Sequence, residues 1–277
     1  MNVLVPPIKC QGIKTELVGW IEKNIPSEYS TWVEPFMGTG VVGLNLATGN
    51  AKFYDTNIHI IKFYNDIKQR KINSSIATEF LKEQSHNLMK DGQSYYYEIR
   101  NRFNNNPDSL DFLFLTRTAF NGVMRFNKSG GFNVPFCKKN DKLNDAHIAK
   151  IAEQIKWVSE KIHNNDFHFE VSDYKNSILS AKDDSFIYCD PPYINRNSDY
   201  YNGWGHDDEV SLFNLLNNSN SKFMLSSWKS DGKSVNEYVT NGCWSKFNCV
   251  EFSHKYIVGG TKERRPSVIE VLVKNYE

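Results

Sequence analysis

Residues 185–197 read SFIYCDPPYINRN. Apolar and aromatic residues run into an acid, Asp190, and then into Pro191, Pro192 and Tyr193. A buried strand accommodates neither proline nor an unpaired carboxylate, so chemistry is expected where this strand ends. In open α/β sheets, ligands bind beyond the carboxyl ends of the strands. Three further strand ends carry acids or glycines: EPFMGTG, ending at Gly40, YDTN, containing Asp55, and VSDY, containing Asp173. Gly38, Gly40 and Gly43 complete a G-x-G-x-x-G pattern, and glycine lets the backbone approach a ligand closely. Asp55 follows Gly38 by 17 residues, a spacing similar to that of an acid holding a ribose diol. These features fit a ligand that carries a nucleoside, and a dinucleotide-dependent oxidoreductase is one such reading.

The elements that must position these residues follow from periodicity. KTELVGWIEKNIP spaces apolar residues at helical intervals and stops at Pro26. Trp32 and Val33 suggest a short strand, VVGLNLA a helix, and AKFYDTN a second strand, which makes a β-α-β unit. From residue 57 to about residue 115 the pattern is mainly helical, as in HIIKFYNDIKQR and QSYYYEIRNRFN. NGVMRFNKSGGFNVPF then combines turn glycines with alternating side chains, which predicts a β-hairpin or surface loop. A helix is predicted over DAHIAKIAEQIKWVSEKI. Strands return at FHFEVSDY, SFIYCD and KFMLSSW, with a helix at DEVSLFNLLNN and two closing strands around a basic loop. The expected fold is α/β: a Rossmann-like sheet with helices on both faces, plus a mostly helical insertion bearing a β-hairpin.

Composition excludes some classes. The 277 residues are 40% hydrophobic and 23% charged, ordinary for a soluble globular protein. No apolar run is long enough to span a membrane, and the first residues lack a signal-peptide pattern, so a cytoplasmic location is expected. The net charge of +1 argues against a simple polybasic binder but allows one basic face. The five cysteines form no C-x-x-C, so neither a zinc site nor a disulfide framework is expected.

EPFMGTG followed much later by DPPY resembles the Dam-type DNA adenine-N6 methyltransferases, in the motif order of their alpha group. IKCQGIK is similar to that family's Lys-x-x-Gly-x-Lys opening, and RTAFNGVMRFNKSGGFNVPF resembles its recognition hairpin. VGGTKERR looks like a basic loop near the C-terminal end of such enzymes. The matches keep their order from about residue 6 to residue 273. The resemblance implies a methyltransferase-type sheet, with S-adenosylmethionine as methyl donor and no metal. It implies a catalytic, donor-binding part over 1–56 and 166–277 and a target-recognition part over 57–165.

The resemblance also assigns residues. Asp190 and the carbonyl of Pro191 would accept the two hydrogens of adenine N6, favouring a pyramidal nitrogen whose lone pair points at the methyl donor. Pro191 and Pro192 fix their φ angles and hold a carbonyl outward. Tyr193 would stack on the target base. On this reading the acid finds its partner in the substrate, not in a lysine of the core. Asp55, with Thr56 and Asn57, would meet the donor's ribose, and Asp173 and Tyr174 its adenine. Glu34, Pro35, Phe36, Gly38, Thr39 and Gly40, with the opening from Cys10 to Lys14, would surround the methionine end, which Asp190 also borders.

The target atom lies inside a duplex, so its base must be flipped out. Phe120 would wedge into the stack, while Asn121, Arg125 and Asn127 would contact base edges or the opposite strand. Lys9, Lys138, Lys139, Lys262, Arg264 and Arg265 would hold phosphates. The partner is double-stranded DNA, the chain is expected to act as a monomer, and a cognate restriction endonuclease is a further expected partner. Alternative readings are an RNA or cytosine-N4 methyltransferase and a DNA-binding protein that has lost catalysis.

Overall fold

A computed structural model describes residues 2–194, 203–255 and 267–277. Seven strands form one sheet: β1 (Trp32–Glu34), β2 (Asn50–Asp55), β3 (Asp166–Val171), β4 (Phe186–Cys189), β5 (Lys222–Ser230), β6 (Asn248–Lys255) and β7 (Ser267–Lys274). Their spatial order is β3-β2-β1-β4-β5-β7-β6. The first five strands of that order pair in parallel, and β7 enters antiparallel between β5 and β6. β1 and β4 are buried along their whole length, which is why they read as unbroken apolar runs rather than alternating ones. Chain order reverses at the β1/β4 pair, so the loops that follow these two strands open into one crevice.

Among the described residues, ten α-helices cover the sheet and build the insertion: α1 (Val18–Glu22), α2 (Val41–Leu46), α3 (Ile58–Lys68), α4 (Ser74–Asp91), α5 (Gln93–Asn105), α6 (Ser109–Thr118), α7 (Asp145–His163), α8 (Tyr174–Leu179), α9 (His206–Asn217) and α10 (Glu237–Thr240). One core joins Trp32, Phe53 and Tyr188 of the sheet to Phe63 of α3, Tyr96 of α5, Phe114 of α6 and Ile155 of α7. On the other face, Val33 and Ile187 pack with Leu212 and Leu216 of α9 and with Trp244. Successive strand residues thus serve opposite layers, and helices lie on both faces, as the sequence predicts. No helix among the described residues is long and apolar enough to cross a membrane.

Two local expectations change. The first helix is only five residues long, because its N-cap, Leu17, offers no side-chain acceptor to the free N–H groups. The predicted hairpin is an irregular loop held by two isolated antiparallel bridges, Ala119 with Phe136 and Phe126 with Phe132. Its returning arm is held by side chains of α5 instead of a ladder. Asn104 accepts from the Phe132 N–H at 2.8 Å and donates to the Phe132 carbonyl at 3.2 Å, and the Tyr96 hydroxyl donates to the Val134 carbonyl at 2.8 Å. With those backbone groups satisfied, no ladder is needed.

Candidate active site

The turn after β1 is shaped by two glycines in the left-handed region, Gly38 at φ 52° and Gly40 at φ 72°. Asp55, at the end of β2, stitches this turn in place. Its Oδ2 accepts from the Gly38 N–H at 2.8 Å and its Oδ1 from the Asn57 N–H at 2.8 Å. Burial raises the pKa of Asp55, and the amides of Asn57, Gly38 and Thr56 oppose that shift. Each oxygen keeps a lone pair for a ligand hydroxyl. A Cβ on Gly38 would meet nothing nearer than Cys10 Sγ at 4.0 Å, so the backbone there faces open space. Asn57 caps α3, accepting from the His59 N–H at 3.0 Å. Thr39 is buried, and its carbonyl accepts from the Tyr64 hydroxyl.

Not every predicted donor contact faces the crevice. Glu34 is only 2% exposed and points beneath α2, accepting from Trp32 Nε1 at 2.9 Å. Burial pushes its pKa up to about 8. The third glycine of the motif, Gly43, passes so close that a Cβ would lie 2.2 Å from Glu34 Oε2 and 2.3 Å from Phe53. Phe36 does face a ring: it stacks on Tyr174 at 5.4 Å. Asp173 is exposed and caps α8, accepting from the Asn176 N–H at 2.8 Å. Burial, with Asp55 and Asp190 nearby, pushes the Cys10 thiol up to about 12, so it stays neutral.

At the end of β4, Asp190 meets a lysine. Lys14 Nζ lies 2.7 Å from Asp190 Oδ1 and 4.7 Å from the centroid of the Tyr193 ring. This corrects the expectation that the acid's partner comes from the substrate alone. A carboxylate enclosed by apolar strands is costly without a counter-charge, and Lys14 supplies one. Burial raises the pKa of Asp190 and the Lys14 charge opposes the rise. Lys14 approaches Oδ1 off the hydrogen-bonding direction, and that fully covered oxygen has no directed partner. The Tyr193 hydroxyl donates to Glu270 Oε2 at 2.6 Å. Pro191 is buried, Pro192 half-buried, and the Trp228 indole donates to the Ile194 carbonyl at 3.2 Å, anchoring the turn.

The loop from Phe120 to Lys138 stands beside this crevice. Gln11 ties it to the N-terminal segment: the Met124 N–H donates to Gln11 Oε1 at 2.9 Å. Asn57 Nδ2 reaches Met124 Sδ at 3.5 Å, linking the loop to the end of β2. Phe120 is half exposed, and Asn121 takes a left-handed φ of 53°. Arg125 Nε donates to Asn133 Oδ1 at 2.9 Å, which braces the guanidinium from one edge. Asn127 serves the loop itself: its carboxamide oxygen accepts from the Ser129 and Gly131 N–H groups at 3.0 and 2.9 Å. Lys9 packs beside Gly122, and burial followed by the nearby charges of Arg117, Lys142 and Lys150 lowers its pKa. Lys138 and Lys139 are exposed. Lys262, Arg264 and Arg265 lie outside the described residues.

The model of the D12 class N6 adenine-specific DNA methyltransferases matches residues 11–256, from the Gln11 tether through the glycine turn, the loop and the Asp190 motif. The chain belongs to that family. Among similar proteins, the DNA adenine methylase of Escherichia coli K12 is 34% identical over 67% of this chain and 64% of its own length. The DNA adenine methylase of Vibrio cholerae is 33% identical over 75% of this chain and 74% of its own. The type II methyltransferase M1.LlaDCHI of Lactococcus lactis subsp. cremoris is 26% identical over 99% and 96%. The chain spans less than half, 42%, of M.FokI of Planomicrobium okeanokoites, which it matches at 27% identity over 98% of its own length.

Four residues of this D12 methyltransferase are not singled out by the sequence alone. Trp204 closes an aromatic cluster with Phe36 and Tyr174, at 5.6 and 5.3 Å. Buried Glu209 accepts from the indoles of Trp204 and Trp244 at 2.6 and 2.7 Å, fixing Trp204 in place. Gln11, within the opening motif, holds the loop. Glu270 is a completely buried acid flanked by apolar residues in the strand SVIEVLVK, and that lone carboxylate is the one signal the sequence offers for it.

Proposed function

We propose that this methyltransferase modifies N6 of an adenine swung out of duplex DNA, with Asp190 as the group that binds the reacting nitrogen. One observation carries the reading: β1 lies between β2 and β4, so Asp55, bonded at 2.8 Å to the Gly38 amide of the turn after β1, and Asp190, at the end of β4, stand at the same edge of the sheet. The residues suit S-adenosylmethionine. Open backbone at Gly38, the remaining lone pairs of Asp55 and the Phe36–Tyr174 ring pair match a methionine end, a ribose and an adenine. When bound, the donor supplies an electrophilic methyl group. Asp190 accepts one N6 hydrogen and the Pro191 carbonyl the other, which frees the nitrogen lone pair from the ring. Lys14 keeps Asp190 ionised in its enclosed position, and Tyr193 holds the base by stacking.

Residues 57–165 form the target-reading part, with Phe120, Asn121 and Arg125 directed to bases and Lys9, Lys138 and Lys139 to phosphates. The type II methyltransferases among its relatives support a restriction–modification setting with a cognate endonuclease, and we take the enzyme to act as a cytoplasmic monomer. The test is Asp190→Ala. Removing an aligned group at the reacting centre costs about 3 kcal/mol or more, so methylation of a duplex falls at least about a hundredfold. Calorimetric affinity for the donor stays measurable. Methylation at near wild-type rate sinks the assignment.

A further inference from the structure

Glu270 sits on β7 opposite Trp228 of β5 and Phe252 of β6, at the carboxyl end of the parallel strands. It is fully buried, between Val268 and Leu272 on the same strand face. A carboxylate in such a place is unfavourable unless a polar group meets it. The Tyr193 hydroxyl does so at 2.6 Å, with Ser226 Oγ 3.5 Å from the same hydroxyl. Lys14 Nζ lies 4.7 Å from the centroid of the Tyr193 ring and 2.7 Å from Asp190 Oδ1. Tyr193 is thus gripped at its hydroxyl from behind and at its ring by the lysine that holds Asp190. A phenylalanine would present the same aromatic face without the first of these restraints.

We infer that Glu270 is a positioning residue for methyl transfer, fixing where the Tyr193 ring lies so that a stacked adenine presents N6 to Asp190. The inference rests on the assignment of Tyr193 to the target base. An unrestrained ring rotates about its side-chain bonds, and small misplacements of a reacting atom are costly in rate. Glu270 acts on the base through Tyr193; its charge also raises the pKa of Asp190, so rates are compared on the pH plateau, where that second effect vanishes.

The experiment combines single-turnover methylation of a duplex, donor calorimetry, and the fluorescence of 2-aminopurine placed at the target position. Glu270→Ala and Tyr193→Phe are each expected to lower the transfer rate by about tenfold, the scale of one lost hydrogen bond to a charged group, with donor affinity unchanged. The double variant is expected to lose no more than the worse single variant, because both remove one restraint. Glu270→Gln retains an acceptor oxygen and keeps most of the rate. A full additional loss from Glu270→Ala in the Tyr193→Phe background overturns the inference, since it shows a role independent of Tyr193. If Glu270→Ala does not fold, Tyr193→Phe decides: wild-type rate and fluorescence show that the tether is irrelevant. Tyr193→Ala separates the two levels. If it leaves the fluorescence of the bound duplex unchanged, Tyr193 does not hold the base; if it alters fluorescence while the Glu270 variants do not, only the positioning role fails.

Discussion

Asp190 is governed by two opposed effects. Its enclosure by β4 favours the neutral acid, and Lys14 at 2.7 Å favours the carboxylate. In the role proposed for it the ionised form is the stronger acceptor for an N6 hydrogen, whereas the protonated acid can turn a donor toward the nitrogen, so activity is expected above the pKa of Asp190 and is expected to fall as pH drops through it. Replacing Lys14 by Met removes the opposing charge and raises that pKa further. The acid limb of kcat/KM for DNA, measured at saturating donor, therefore moves to higher pH in Lys14→Met. A limb at the wild-type position would show that Lys14 does not set the charge of Asp190.

Between elements, α2 packs tightly against β1 and β2. Gly43 lets the helix approach to where a methyl group would overlap both Glu34 and Phe53. Gly43→Ala is expected to destabilise the fold by about 1–3 kcal/mol, read by urea unfolding, because both neighbours are buried and neither can swing clear. The same contact has a pH signature. The folded state keeps a proton on Glu34 up to about pH 8, whereas the ordinary value is 4.5. Across that window the folded state binds the extra proton, so its contribution is whole below about 4.5 and declines as pH rises to about 8. Glu34→Gln keeps an acceptor for the Trp32 indole and carries no such proton. Its stability is expected to vary less with pH over this range, as measured by unfolding at matched ionic strength. Parallel pH profiles for the two proteins would refute the assignment.

For the whole molecule, the governing arrangement is a basic, irregular loop tethered beside an acidic crevice. The chain is nearly neutral, at +1, so attraction for DNA depends on where its cations stand. Arg125 is braced by Asn133, which orients its planar fork. Lys139 is exposed just after the loop and carries a point charge. Arg125→Ala is expected to relax discrimination at one base by about 1–3 kcal/mol. Lys139→Ala is expected to weaken all duplexes alike and reduce the salt slope by about one counterion. Methylation of singly substituted duplexes at two salt concentrations distinguishes them. A uniform loss for Arg125→Ala would remove it from base reading.

The parts of the site that depend on neighbours in the chain were legible from the sequence. The glycine turn, the acid ending β2, the acid Asp173 after β3 and the run from Asp190 to Tyr193 each express local geometry. So do the long helices α3 to α7 and the buried strands β1 and β4, whose patterns record how much of their surface is covered. For the segment from Phe120 to Phe136 the alternation left a hairpin and a surface loop both open, and Asn104 and Tyr96 of α5 decide for the loop by satisfying its backbone. Topology alone paired Lys14 with Asp190, bound Tyr193 to Glu270 across 77 residues and tied Met124 to Gln11 across 113. The energy of such pairs comes from the exclusion of water around them, and no local pattern records which distant segment will do the excluding. The sequence determined which groups the site contains; the tertiary structure decided their charge, their partners and the direction in which they point.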